Sequence, residues 1–171
     1  MCDLPNIFKK LSRIIIVAII PVVMLSGCME ILFDGARLTK KKAEIKTWLY
    51  LAEDGDVEAQ YKVGSLYCCG ERPYYNNIEA LKWWCSAAKK GQRDAQFEIG
   101  KIYDETTQYK GSIVPKDPVL SYTYFALALS NDHTGSSEYL QRIKNRMSED
   151  EIQEAETLIK RFPRIWCENP R

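Results

Sequence analysis

The chain has 171 residues, with 24 lysines and arginines against 23 aspartates and glutamates. This balance excludes a nucleic-acid-binding protein that depends on bulk positive charge. An apolar content of 46% excludes a disordered chain, and the length is sufficient for one domain with a buried core. His133 is the single histidine, which excludes a multi-histidine metal site and argues against a histidine-based catalytic triad.

The first 25 residues have the order of features that is typical of an export signal. Three basic residues, Lys9, Lys10 and Arg13, come before an uncharged and mainly aliphatic run at residues 14–25. A membrane-spanning helix needs roughly 20 apolar residues, so this run is too short to cross a bilayer. It is instead typical of the apolar region of a signal peptide.

The end of that run reads Leu25-Ser26-Gly27-Cys28, which resembles the lipobox of bacterial lipoproteins. The resemblance implies that residues 1–27 are a cleaved signal peptide and that Cys28 becomes an acylated N-terminal residue. Because Met29 rather than aspartate follows, it also implies an outer-membrane location facing the periplasm. The alternative is a short membrane anchor with an incidental cysteine.

The rest of the chain contains an internal repeat. Shifting the sequence by 36 residues aligns small and aromatic residues of the same type, a pattern that is typical of repeat proteins. The identical pairs are Trp48/Trp84, Ala52/Ala88, Gly55/Gly91, Ala59/Ala95, Gln60/Gln96, Gly64/Gly100 and Tyr67/Tyr103.

The spacing inside each unit predicts two helices. Ala59, Val63, Leu66 and Tyr67 share one helical face, and a second stripe contains Ala80, Trp83, Trp84, Ala87 and Ala88. A turn rich in glycine, proline and asparagine separates the two stripes, and Gly91 marks the end of the second helix.

These units resemble the Sel-one-like repeats, relatives of the tetratricopeptide repeats, in the phrases Ala59-Gln60-x-x-x-Gly64-x-x-Tyr67 and Ala80-x-x-Trp83-Trp84-x-x-Ala87-Ala88-x-x-Gly91. In the second unit Ser121 replaces the usual alanine and Asp132 the usual glycine, and the turn is five residues longer. The resemblance implies an all-α fold, a short right-handed superhelical solenoid of antiparallel helix pairs.

We expect a C-terminal cap after the repeats, because the last unit of a solenoid has no neighbour to cover it. Ser148 and Glu151 have the spacing of a capping box at the start of a final amphipathic helix. The predicted segments are a lipidated N-terminus and linker at 28–39, repeats at 40–132, capping helices at 133–162 and an irregular tail at 163–171.

The cysteines are best interpreted as structural. Export into an oxidising compartment favours disulfides among Cys68, Cys69, Cys85 and Cys167, with all three complete pairings open and buried free cysteines as the alternative. Their spacing is poor for zinc, and no Gly-x-Ser-x-Gly motif occurs. We therefore expect no metal, no cofactor and no enzymatic activity.

Two aromatic residues fall outside the core stripes. Tyr61 and Phe97 occupy equivalent positions in successive units, about 180° from the centre of the predicted packing face. In this fold class the first helix of each unit lines the concave surface, so these rings, flanked by Ser65 and Lys101, form a candidate partner-binding site. Packing between adjacent repeats is the alternative for either ring.

The resemblance also implies a function, since small lipoproteins with such repeats are similar to immunity proteins. Those proteins bind and block lipase toxins that type VI secretion systems deliver to the periplasm. The expected partners are therefore another protein, such as a secreted lipase toxin, and the membrane through Cys28, with no nucleic acid. The alternative function is a structural or regulatory adaptor of an envelope complex.

Overall fold

The computed structural model describes residues 35–68, 75–107 and 113–162. The predicted signal peptide, Cys28 and the predicted tail at 163–171 lie outside these residues. The chain divides into two compact units, Met1–Ala43 and Glu44–Arg171. In the first unit, the described residues 35–43 are helical. The helix thus includes residues 35–39, which were expected to form part of a linker.

The described residues form helices and no strands. The first helix, α1, covers residues 35–53 of the described chain. It is followed by α2 (Val57–Cys68), α3 (Asn77–Ala88), α4 (Arg93–Tyr103), α5 (Pro118–Ser130), α6 (Ser136–Lys144) and α7 (Glu149–Arg161). The predicted all-α solenoid of helical repeats is confirmed.

Each repeat is a pair of helices joined by a ring that lies against a glycine. In the first pair Trp84 of α3 packs on Gly64 of α2, and in the second Phe125 of α5 packs on Gly100 of α4. Trp84 and Phe125 are both fully buried. A Cβ atom added at Gly64 would lie 2.6 Å from Nε1 of Trp84, so only glycine allows this approach.

A repeated side-chain bond joins each pair to the helix before it. Gln60 Nε2 donates to the carbonyl oxygen of Ala52, and Gln96 Nε2 donates to that of Ala88, both at 3.1 Å. Both glutamines are buried. Because the two bonds are 36 residues apart, they reproduce in the structure the offset that the sequence predicts.

The turns after α1, α3 and α5 share one backbone conformation. Gly55, Gly91 and Asp132 have φ values of 96°, 87° and 65°, in the left-handed region that favours glycine. Asp132 therefore matches the two glycines in its positive φ as well as in the alignment of the repeats.

The predicted C-terminal cap consists of α6 and α7, which pack against α5. Ser148 and Glu151 form the predicted capping box: the Glu151 backbone N–H donates to Ser148 Oγ at 3.3 Å, and the Ser148 N–H donates to the Glu151 carboxylate at 2.8 Å. Buried Ala155 and Leu158 hold the inner face of α7.

The disulfide interpretation is supported within the first repeat. Cys68 at the end of α2 and Cys85 in α3 are both disulfide-bonded, and both are fully buried. Cys69 and Cys167 lie outside the described residues.

We expect Gly64→Leu and Gly100→Leu each to lower the free energy of unfolding by about 1–3 kcal/mol or more, because the new side chain must displace a buried ring. Urea and thermal denaturation measure this loss. Gly35→Ala is the control, since no atom lies within 4 Å of its added Cβ. Unchanged melting of both leucine variants would contradict the ring-on-glycine packing.

The strained turn gives a second prediction. We expect Asp132→Gly to raise the free energy of unfolding by about 0.5–1 kcal/mol, because glycine adopts its positive φ without a steric cost. Gly91→Asp tests the same strain in reverse, since nothing lies within 4 Å of a Cβ added there. Stability changes of the same sign in both variants would show that backbone conformation is not the cause.

Candidate protein-binding site

The four predicted site residues lie on the first helices of the two repeats. Tyr61 and Ser65 are in α2, and Phe97 and Lys101 are in α4, at positions that correspond with the offset of 36. All four are half-buried rather than fully exposed. The structure therefore places them on equivalent helix faces, but their surroundings differ.

Phe97 belongs to an aromatic cluster between the second repeat and the cap. Its ring stacks on His133 with centroids 4.2 Å apart, meets Tyr139 of α6 edge-on at 5.1 Å, and lies 5.5 Å from Phe125. The expectation that this ring lies away from the core is wrong, because His133 and Tyr139 cover it, and Tyr61 also packs against the core. These ring contacts are with the second repeat itself and with the cap rather than with the adjacent repeat, and a contribution of Phe97 to partner binding stays a prediction.

Lys101 is held beside that cluster. Its Nζ atom lies 3.0 Å from the Glu98 carboxylate and 5.3 Å from the ring centroid of Phe97. The lysine and glutamate side chains are only 23% and 18% exposed. A partner that contacts Lys101 therefore meets a partly shielded ion pair.

Tyr61 has a more polar environment. Burial raises the pKa of its hydroxyl, and the nearby carboxylates of Glu98, Asp94 and Glu58 raise it further, against the opposing effect of a hydrogen bond with Ser65. The hydroxyl is therefore neutral at physiological pH and carries both a donor hydrogen and acceptor lone pairs. Ser65 Oγ also donates to the Tyr61 carbonyl oxygen at 3.0 Å.

A second polar cluster fixes the end of α4 to the cap. Asp104 is 1% exposed, and its carboxylate accepts bonds from Arg142 at 2.8 Å and from Arg146 at 3.1 Å. The Thr106 hydroxyl and N–H donate to the same carboxylate at 2.7 Å and 3.1 Å. Although burial raises the pKa of Asp104, these hydrogen bonds outweigh it and lower the pKa to about 2.

Sequence reasoning missed this cluster and the residues around Phe97. From the sequence, His133 is considered only as a metal ligand or a catalytic-triad residue, whereas in the structure its Nε2 atom lies 3.7 Å from Asp94 Oδ1. The positions of Tyr139 and Ile143, one helical turn apart, are the sequence signal for the inner face of α6. No spacing rule links Asp104 to arginines about 40 residues later.

Within the described residues, no group of histidine, cysteine, aspartate and glutamate side chains could hold a metal ion. No described helix has both the length and the apolar character needed to span a membrane. A Ser-x-x-Lys spacing, which occurs in some hydrolases, is present at Ser86 of α3 and Lys89, but the Ser86 hydroxyl donates to the Lys82 carbonyl oxygen at 3.1 Å. The hydroxyl is thus engaged by its own helix.

Comparison with known proteins identifies the repeats. The family model described as the Sel1 repeat matches residues 57–92 and 93–133, which correspond to α2–α3 and α4–α5 with their turns. These two segments are Sel1-like repeats. None of the curated proteins is significantly similar to the chain.

A solved structure with a similar fold also supports the identification of these repeats. It is the crystal structure of a protective antigen present in uropathogenic Escherichia coli strains, which displays an SLR fold. The two chains are 26% identical with a TM-score of 0.63, and the match covers 75% of this chain but 26% of the antigen. The chain thus matches about a quarter of that protein's length. The Sel1-like repeats indicate a protein-interaction module.

The Asp104 cluster gives a pH-dependent prediction. The unfolded aspartate has an ordinary pKa of 3.8 and the folded one a pKa of about 2, so its contribution to stability is present above about pH 4 and is lost as the pH falls to about 2. A shift of this size corresponds to about 2 kcal/mol. We expect Asp104→Asn to lower the free energy of unfolding by about this amount at neutral pH. On acidification, the free energy of unfolding of this variant should fall less than that of the parent protein.

Urea denaturation at neutral and acidic pH measures both effects. Glu105→Gln is the matched control, because its carboxylate lies 3.9 Å from Arg146 but is 63% exposed, and exposed ion pairs contribute little. Equal losses in the two variants at neutral pH would contradict a special role of Asp104.

Proposed function

We propose that this protein is a membrane-anchored, non-enzymatic protein-binding module that faces the periplasm, with an acylated Cys28 in the outer membrane. The observation that carries the binding role is the pair of Sel1-like repeats whose first helices, α2 and α4, present half-buried polar and aromatic side chains. Repeat arrays of this kind use such extended surfaces to bind other proteins. The anchor rests on the lipobox-like sequence that ends at Cys28.

The proposed binding surface is centred on Tyr61. Its ring is half-buried, its neutral hydroxyl can both donate and accept, and three carboxylates lie close enough to raise its pKa. Tyrosine is frequent at the centre of protein interfaces because it combines apolar area with a polar group. In this proposal Ser65 and the Glu98–Lys101 pair supply further polar groups of the surface, and Phe97 supports it from the aromatic cluster.

We propose further that the partner is a secreted lipase toxin delivered by a type VI secretion system, which this protein binds and blocks. Support for this comes from the resemblance of the short lipoprotein array to immunity proteins. An inhibitor anchored to the membrane is held next to the phospholipid that such a toxin attacks. Binding to a resident envelope protein, without protection against a toxin, would instead indicate the structural or regulatory adaptor.

We expect Tyr61→Ala to weaken partner binding by about 30-fold, which corresponds to a loss of about 2 kcal/mol at a central interface residue. In cells that face the cognate toxin, the variant should be exported normally but should fail to protect. Tyr50→Ala is the matched control, because Tyr50 is 74% exposed on α1 and lies outside the proposed surface.

Phe97→Ala separates binding from packing. We expect this variant to lower the melting temperature, because it removes a ring from the aromatic cluster, while Tyr61→Ala keeps a helical circular dichroism spectrum like that of the parent protein. Full binding and protection by folded Tyr61→Ala would place the interface elsewhere.

The anchor has its own test. We expect Cys28→Ala to abolish incorporation of radiolabelled palmitate and to prevent removal of residues 1–27, because the acylated sulfur is missing. Mass spectrometry of the purified chain gives the acyl content independently. Equal labelling of the parent protein and the variant would contradict the lipoprotein assignment.

A further inference from the structure

We propose that the basic segment Arg37–Lys42 at the start of α1 binds the anionic phospholipid surface of the membrane that carries the anchor. This inference rests on the membrane attachment in the proposed function, and it adds a second contact that is electrostatic. It concerns only the first of the two compact units, Met1–Ala43.

The charged residues of this segment are all basic. Arg37, Lys40, Lys41 and Lys42 lie within six consecutive residues; residues 35–43 contain no acidic residue, and Asp34 and Glu44 flank them, which leaves an excess of two positive charges over residues 34–44. Residues 40–42 form the longest run of basic residues in the sequence, although the whole chain is nearly neutral. The positive charge is therefore a local property of this helix end.

The helix places most of this charge on one side. Residues three and four apart are neighbours on a helix surface, so Arg37, Lys40 and Lys41 lie side by side. Arg37, Lys40 and Lys42 are exposed and Lys41 is half-buried. A flat anionic surface can contact such a group of cations, whose aliphatic stems reach outward while their charged ends stay in the polar headgroup layer.

The length of the connection favours a bilayer over an acidic protein as the occupant. Residue 35 is seven positions after Cys28, a distance of at most about 25 Å when the chain is fully extended. A short tether keeps the cations at high effective concentration near the headgroups. Electrostatic attraction acts over about 10 Å at moderate salt, which is within the reach of this tether.

Lysine acylation footprinting in proteoliposomes tests the contact. The protein is expressed from the full-length sequence, purified from membranes in its processed form and reconstituted into vesicles of phosphatidylcholine alone or with added phosphatidylglycerol. We expect phosphatidylglycerol to slow the labelling of Lys40, Lys41 and Lys42 by up to about fivefold each. The exposed Lys144 and Lys160 of α6 and α7 serve as internal controls that do not change, and about 1 M salt should remove the protection.

Charge variants distinguish electrostatic binding to the lipid from protection that arises only because the anchor holds the helix near the membrane. In anionic vesicles, amide hydrogen exchange over residues 35–43 should be slowed in the parent protein and in K40R/K41R/K42R, but not in K40Q/K41Q/K42Q. Equal labelling rates in the two vesicle types, or protection that survives in the glutamine variant, would overturn the proposal, as would protection that appears only after an acidic protein is added.

The same preparation distinguishes this failure from failure of the anchor. Reconstitution needs only membrane attachment, by an acylated Cys28 or by the uncleaved apolar run at 14–25, and the mass of the purified chain shows which is present. Absence of the acyl groups would contradict the lipoprotein assignment. The labelling rates of Lys40, Lys41 and Lys42 would still measure lipid contact in that case.

Discussion

The architecture depends on the contact between a large ring and a glycine in each helix pair. Trp84 on Gly64 and Phe125 on Gly100 bring the two helices of a repeat closer than any side chain would allow. Because both rings are fully buried, each pair gains apolar burial from a single contact that also sets its geometry. Gln60 and Gln96 then bond each pair to the carbonyl oxygen of Ala52 or Ala88 near the end of the preceding helix.

The glycine, alanine and aromatic spacing was sufficient to predict the helix pairs, since close packing restricts residue type at a few fixed positions. The offset of 36 holds for the first helices, but it becomes 41 for α3 and α5, because the second turn is five residues longer. Trp84 therefore corresponds to Phe125, a substitution that keeps the ring while losing the indole N–H. Local periodicity also predicted the capping box, whose partners are three residues apart.

The candidate site was less predictable, because it depends on contacts between elements distant in sequence. Helical periodicity predicted that Tyr61 and Phe97 lie off the main packing stripe, but both rings pack against the core, and periodicity carried no information on what covers them. His133 and Tyr139, which lie in or next to the cap, contact the Phe97 ring. Tyr61 instead has carboxylates of α2 and α4 nearby. Two positions that are equivalent in sequence thus have different surroundings, since only one of them is next to the cap.

The Asp104 cluster has a consequence for where an autonomous folding unit ends. The second Sel1-like segment ends at residue 133, before the two arginines that bond to this buried carboxylate. A chain shortened to the matched segment would retain the anion without its cations and would expose the aromatic rings now covered by α6. The contacts that neutralise Asp104 and cover Phe97 therefore extend beyond the matched repeat and into the cap.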